Sequence, residues 1–417
     1  METKKFYPLR PIQRYFIDTH FKKAKSTMMN VGMLLKLSPV VNMKRLAAAV
    51  NEVLKAHDIF RCRLTINPDT EDICQTFDGE IVEVQIEKTS DEEFELLRKK
   101  RLEEPYKIMN QPLYHIHLFE TPTSKYFYVD FYHAVMDSVS IMTIFKRELN
   151  FYYLGRYLDE PESYAQFVAE ESITSPDELK EGHNYWRNLL ADFDAKKNLP
   201  PVDVENVQAW TKGTLDGKFK TISEEFFRKT HLSENRFFLA AFMKTLSKVT
   251  DSKKVFATWL DNGRGKDEKN QIMGLMTNIF PCAWNFGEDM TFADFFNIFS
   301  GKIRQELEYK KSLDIVYNEG LAADVPSFMF QKNTITNHFT IGNTTANVED
   351  MPPNEISAAQ NSVDIKIFSG DDGMYSWRLT YDAGRFSADS MKNFVSAMEE
   401  ILREIQNNDT RLSKILS

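Results

Sequence analysis

The stretch that most constrains this chain is Tyr126-Phe127-Tyr128-Val129-Asp130-Phe131-Tyr132-His133-Ala134-Val135-Met136-Asp137-Ser138-Val139-Ser140. From Tyr126 to Tyr132 it is aromatic and β-branched with one polar interruption, the pattern of a central strand covered on both faces. Beyond the turn, Ile141, Met142, Phe145 and Leu149 fall at helical spacing, with Ser138 or Ser140 placed to cap the helix. His133 therefore stands at the end of a buried strand, held rigidly where a cleft can open. Its ordinary pKa near neutrality suits proton transfer. His-x-x-x-Asp is a short pattern, however, and a core histidine hydrogen-bonded to a neighbour satisfies it equally well.

A chain of 417 residues is long for one core and suits two similar halves. With 42% hydrophobic and 27% charged residues it reads as a globular chain. The net charge of −9 argues against a nucleic-acid binder, which would want a basic face. Three cysteines, Cys62, Cys74 and Cys282, have no metal-type spacing and fit buried thiols in a reducing compartment. The N-terminus lacks the apolar core of a signal peptide and no apolar run reaches transmembrane length, so a cytoplasmic protein without membrane partners is expected.

Along the chain, Val31 to Leu37 reads as a strand and Asn42 caps a helix whose Leu46, Val50, Val53 and Leu54 share a face. Ile59 to Leu64 alternates as a strand, with Arg61 and Arg63 on one side. Tyr114 to Leu118 and Tyr126 to Tyr132 form a hairpin in which His115 and His117 share a face. Solvent exposure suits that pair better than metal binding, since no third ligand lies near. A helix through Tyr185 and Trp186 links the halves. In the second half, Glu234 to Lys248 is a strongly apolar helix, Val255 to Leu260 a buried strand, Thr344 to Pro353 a loop, and Asp364 to Phe368 with Tyr375 to Tyr381 a second hairpin. The fold class is therefore α/β. Residues 1–170 form a first half, 171–201 a connecting helix and linker, and 202–417 a second half.

Several segments, taken in order, resemble the condensation-domain superfamily of CoA- and carrier-dependent acyltransferases. Tyr7-Pro8-Leu9-Arg10-Pro11-Ile12-Gln13 resembles that family's "YPLSPMQ", and Lys55 to Leu64 its "RHExLRTxF". Tyr132-His133-Ala134-Val135-Met136-Asp137-Ser138 stands where the family has "HHxxxDG". Tyr185-Trp186, Asn262-Gly263-Arg264, Gly274 to Pro281 and Trp377 to Asp382 with Phe386 are similar to the "YW", "AGR", "GxFxNTLPLR" and "YxxDLF" segments.

The resemblance implies two chloramphenicol acetyltransferase-like halves forming a V-shaped pseudo-dimer, with His133 at the centre of a tunnel. It implies acyl transfer from a pantetheine thioester, on CoA or a carrier protein, to a small-molecule amine or alcohol. His133 would act as general base or positioning group, in a monomer with no permanent cofactor or metal. Asp137 is implied to turn away from the tunnel and pair with Arg61 as structural support. Tyr132, Ser138, Trp259, Asn278, Asn337 and His338 are tunnel candidates by position. Tyr132 replaces the family's first His and Ser138 its Gly. These departures open an alternative: a condensation-like domain without chemistry, serving as a protein-binding platform in a biosynthetic assembly.

Overall fold

The structure is a computed structural model that describes residues 5–191, 193, 208–220, 224, 233–264, 271–320, 324–332, 338–352, 362–370 and 372–405. In chain order its main elements begin with α1 (Pro11–Lys22), β1 (Asn30–Leu37), α2 (Met43–Ala56), β2 (Arg63–Ile66), β3 (Ile73–Thr76), β4 (Ile86–Lys88) and α3 (Asp91–Leu102). Next come β5 (Tyr114–Glu120), β6 (Lys125–Tyr132), α4 (Lys146–Tyr153), α5 (Tyr164–Ser172), α6 (Pro176–Ala191), β7 (Gln208–Thr214), α7 (Glu234–Val249), β8 (Lys254–Asp261) and β9 (Asn278–Asn285). The last are α8 (Phe292–Glu308), α9 (Asp314–Asn318), β10 (Ser327–Lys332), β11 (His338–Ile341), β12 (Thr344–Asp350), β13 (Val363–Ser369), β14 (Tyr375–Asp382) and α10 (Ala388–Glu404).

The chain divides into two compact units. The first comprises Met1–Thr174 together with Asn262–Thr277 and Thr334–Glu355; the second comprises Ser175–Asp261, Asn278–Asn333 and Ile356–Ser417. Two late segments thus join the first unit.

The first unit is built on a six-stranded sheet in the order β11-β12-β1-β6-β5-β4. β6 lies centrally, antiparallel to β1 (Gly32 opposite Asp130) and to β5 (His115 opposite Asp130). The segment read as the loop Thr344 to Pro353 is instead strand β12 up to Asp350, paired with β1, and Pro353 lies outside the described residues. Only Ala346 of β12 is fully buried, so the strand lacks the apolar alternation that announces one. One face of the sheet meets α2 and α4 through an aromatic core: Phe60, Phe131 and Phe145 contact one another, and Phe339 from β11 joins Phe127 and Phe145. Asn42 caps α2 by accepting the Arg45 N–H, as its position predicts. Ile59 to Arg61 is not a strand. It belongs to a single 3₁₀ turn, Asp58–Arg61, and Asp58 caps α5 by accepting the Tyr164 and Ala165 N–H groups.

The second unit is also a six-stranded sheet, ordered β7-β14-β13-β10-β8-β9 and mixed, since β10 runs parallel to β8 and β13. The hairpin β13–β14 forms as the alternation predicts. α7 packs on β8, β10 and α10, and every residue from Phe237 to Ser247 is buried. A helix apolar on all sides belongs inside.

The outer face of β6 carries the polar interruption of the central strand. Asp130 is fully buried, and its carboxylate accepts the Asn30 side-chain N–H at 2.8 Å. A Cβ on Gly32 would lie 2.6 Å from its Oδ1, so only glycine leaves room across the β1–β6 pair. His115 Nδ1 stands 3.9 Å away, with its ring stacked on Tyr106 at 4.4 Å. His117 bonds Glu87 at 2.7 Å. Both histidines are half-buried rather than solvent-facing, because their face of β5 is covered.

Burial raises the Asp130 carboxyl from 3.8 to about 7, against the opposing donation from Asn30, and burial lowers His115 to about 4. A neutral His115 does not compensate an ionised Asp130 near pH 7. Arg101 and Glu104 are the other charged groups near this face. The folded state holds the Asp130 proton more tightly than the unfolded chain. Its penalty is therefore absent below about pH 4, grows as the pH rises, and is complete above about pH 7. A rise from 3.8 to about 7 corresponds to roughly 4 kcal/mol. Urea denaturation of Asp130→Asn is expected to show a stability gain over wild type that is several kcal/mol larger at pH 8 than at pH 4.

Candidate active site

β6 ends at Tyr132, and His133-Ala134-Val135 form the turn that leaves it. The backbone fixes this turn at several points: His133 N–H donates to Met29 O at 2.8 Å, Tyr132 N–H to Leu113 O, and Val135 N–H to Tyr132 O. The half-buried His133 ring packs against Phe16 of α1 at 4.7 Å, tilted by 37°. His133 Nδ1 lies 3.3 Å from Met136 O. A carbonyl only accepts, so this contact places the proton of a neutral imidazole on Nδ1.

Asp137 is buried beneath the turn, but its partner is not Arg61. Its carboxylate faces Arg264, whose Nη2 lies 3.1 Å from Oδ1 and 3.2 Å from Oδ2, with both side chains nearly inaccessible to solvent. Arg61 ends the 3₁₀ turn at the surface, where its guanidinium donates to Lys55 O at 3.1 Å. The same Asp137 carboxylate accepts the Met276 N–H at 2.9 Å and the Ser140 N–H at 2.8 Å. Asp137, rather than Ser138 or Ser140, is thus the side-chain cap of the helical segment. That segment opens as a π-helix, Ser140–Phe145, before continuing as α4. Such wide turns are frequent at functional sites.

Ser140 has a different task. Its hydroxyl donates to Gly274 O at 2.7 Å and accepts the Gly274 N–H at 3.0 Å and Arg264 Nη2–H at 2.7 Å. A Cβ on Gly274 would stand 2.2 Å from the Tyr164 ring, so glycine permits this close approach. Arg10 reaches the same segment, donating to Leu275 O at 2.6 Å and pairing with Glu171. Arg264 and Gly274 to Met276 are therefore held from several sides by Asp137, Ser140 and Arg10. Pattern reading missed Arg264 and Ser140 as supports. Their available signals were Asn262-Gly263-Arg264 after a buried strand and the Ser two residues past the motif.

The remaining candidates are scattered. Tyr132 is fully inaccessible and packs beside His20 and Tyr106. Ser138 is half-buried in the first helical turn. Among the described residues, positive φ outside glycine occurs only at Glu71, Asn110, Asp251 and Asp324, so Ser138 occupies its position without left-handed strain. His338 opens the edge strand β11 of the first sheet. Trp259, buried and stacked on Phe280, and Asn278, the first residue of β9, belong to the second unit. Asn337 lies outside the described residues. Among the described residues, no cluster of three His, Cys, Asp or Glu could hold a metal ion, and no helix is long and apolar enough to cross a membrane.

A model of the condensation domain matches residues 3–416, and the chain belongs to the condensation-domain family. Surfactin synthase subunit 2 of Bacillus subtilis (strain 168) is 21% identical over 427 residues, covering 98% of this chain but 12% of that protein. The lovastatin nonaketide synthase polyketide synthase component of Aspergillus terreus is 23% identical, over 71% of this chain and 10% of its own length. The chain thus spans a small part of these curated relatives. Among solved structures, the condensation domain of Monacolin K polyketide synthase has a TM-score of 0.72 at 18% identity, over 98% of this chain and 99% of that one. The X-domain from teicoplanin biosynthesis has a TM-score of 0.74 at 16% identity, over 99% and 98%. The α/β fold of two chloramphenicol acetyltransferase-like units, expected from the motifs, is the fold these domains share.

Removing one member of a buried ion pair strands the other in a low dielectric, at about 3–5 kcal/mol. Arg264→Met is therefore expected to lose about that much stability in urea titrations. Arg61→Ala should stay within about 0.5 kcal/mol of wild type, as surface substitutions do.

Proposed function

We propose that this chain transfers an acyl group from a pantetheine thioester, carried by CoA or a carrier protein, to a small-molecule amine or alcohol. The product is an amide or ester. The carrying observation is the His133 geometry: an imidazole held at the end of a central strand with Nδ1 against Met136 O, and the base role is assigned to Nε2. Nε2 takes the proton from the attacking hydroxyl or amine as the new C–O or C–N bond forms. It then returns the proton to the departing thiolate as the C–S bond breaks. In amide formation the same nitrogen orients the amine and steadies the tetrahedral intermediate. Asp137 and Arg264 hold the turn that carries His133 and take no proton.

A platform without acyl transfer is the second reading. Ser138 and Tyr132 in place of the family's Gly and His favour it. So does the likeness to an X-domain that was solved in complex with OxyB (TM-score 0.76). That partner belongs to the teicoplanin protein; for this chain the reading predicts a protein partner of a biosynthetic assembly.

Incubation with a panel of acyl-CoAs and acyl-carrier proteins plus amines and alcohols, read by product mass, separates the two. The acyltransferase reading expects turnover that falls roughly 10²- to 10⁴-fold in His133→Ala. Turnover unaffected by that change sinks the assigned role of His133. No turnover together with no thioester binding favours the platform.

A further inference from the structure

α1 presents two residues one turn apart to the His133 turn. Phe16 supplies the aromatic wall of the imidazole. Gln13, at i−3 on the same helix face, is wholly inaccessible to solvent and donates from Nε2 to Ala134 O at 3.0 Å. The carbonyl it grips belongs to Ala134, the residue immediately after His133, in the Ala134–Val135 peptide.

The Gln13 amide is itself rigidly held. Its Nε2 also donates to Gln75 Oε1 at 3.1 Å, and its Oε1 accepts from Gln75 Nε2 at 3.0 Å and from the Arg10 N–H at 3.0 Å. Gln75, equally buried on β3, donates onward to Pro8 O at 2.9 Å. The reciprocal amide pair uses both donors of each side chain. A side chain with every group engaged in a low-dielectric interior has a single orientation, so it can transmit that orientation to whatever it touches.

We propose that Gln13 is a positioning residue for His133. By holding Ala134 O, it sets the pitch of the 133–136 turn, so that His133 Nδ1 meets Met136 O and the ring lies against Phe16. Without that grip the turn keeps its backbone bonds to Met29 and Leu113 and its own Val135 N–H to Tyr132 O bond, but loses the side-chain donor at Ala134 O. The imidazole then samples both tautomers and swings away from its bond. This rests on the proposed acyl transfer only for its kinetic consequence; the tautomer is a property of the free protein.

The test uses the full chain labelled with ¹⁵N-histidine, with the His133 signals identified by their loss in His133→Gln. Wild type is expected to show the Nδ1–H tautomer as the dominant neutral form. Two variants remove the grip: Gln13→Asn, which keeps an amide but withdraws it by one methylene, and Gln13→Met, which keeps the length without the donor.

In either folded variant the Nδ1–H form should lose its dominance while the signals of His57, held by Glu148 at 2.6 Å, and of His183, held by Asp314 at 2.8 Å, stay in place. If acyl transfer is observed in wild type, kcat should fall roughly 10- to 100-fold with KM unchanged. A folded variant that keeps the wild-type tautomer ratio and His133 titration, merely melting earlier, would overturn the assignment. Failure of both variants to fold would do the same, by giving the amide pair to folding instead. Absence of turnover in wild type would count against the acyltransferase reading and leave the spectroscopic result to decide Gln13.

Discussion

A carboxylate taken out of water has to be met by donors from every side, and Asp137 is the point where the first unit does this. Its two oxygens collect the Arg264 guanidinium, the Met276 N–H and the Ser140 N–H. These come from two places: Arg264 and Met276 supply the first two, and the opening of the π-helix supplies the third. One side chain therefore caps a helix, anchors a late segment of chain and neutralises a buried cation. His133 lies four residues earlier on the same turn, so the accuracy of the imidazole depends on this node. Ser140 and Gly274 reinforce it with a reciprocal pair of hydrogen bonds that only a glycine backbone lets approach.

What a sequence displays is local, and the local parts of this fold were readable. Apolar residues on every side of α7, the Asn42 cap of α2 and the hairpin β13–β14 follow from periodicity and turn chemistry within a dozen residues. Two expectations about local structure fail for physical reasons. Ile59 to Arg61 alternates like a strand, yet Asp58 uses its carboxylate to cap α5, and the segment closes into a 3₁₀ turn. β12 has little apolar alternation because it is a late strand finishing an earlier sheet beside β1. The choice of Arg264 over Arg61 as the partner of Asp137 is not a matter of local structure. Both arginines stand in motif segments, and only the three-dimensional placement of Arg264 and Met276 shows which one reaches the carboxylate.

Asp130 shows that the strand carrying the site is not built for stability alone. A fully buried carboxyl in the middle of a central strand, opposite a glycine and beside a neutral histidine, opposes folding at neutral pH. The strand tolerates it because the opposite face is densely aromatic, with Phe60, Phe131 and Phe145 in mutual contact. The two faces of β6 thus divide the work: one carries the core, and the other accommodates Asn30, Tyr106, His115 and Asp130.

The same division bears on Ser138, the departure that most separates this chain from its family's motif. A glycine in a motif can be required for backbone conformation or for space. Conformation is not the requirement here, since Ser138 sits in the first helical turn outside the positive-φ region. Asp137 and its partners hold that turn in place with the serine present. What the substitution adds is a hydroxymethyl group five residues after the imidazole, at a half-buried position. The consequence of Ser138 is therefore a matter of volume and of an added hydroxyl, and the bonds that Asp137 makes beneath the His133 turn are in place with the serine present.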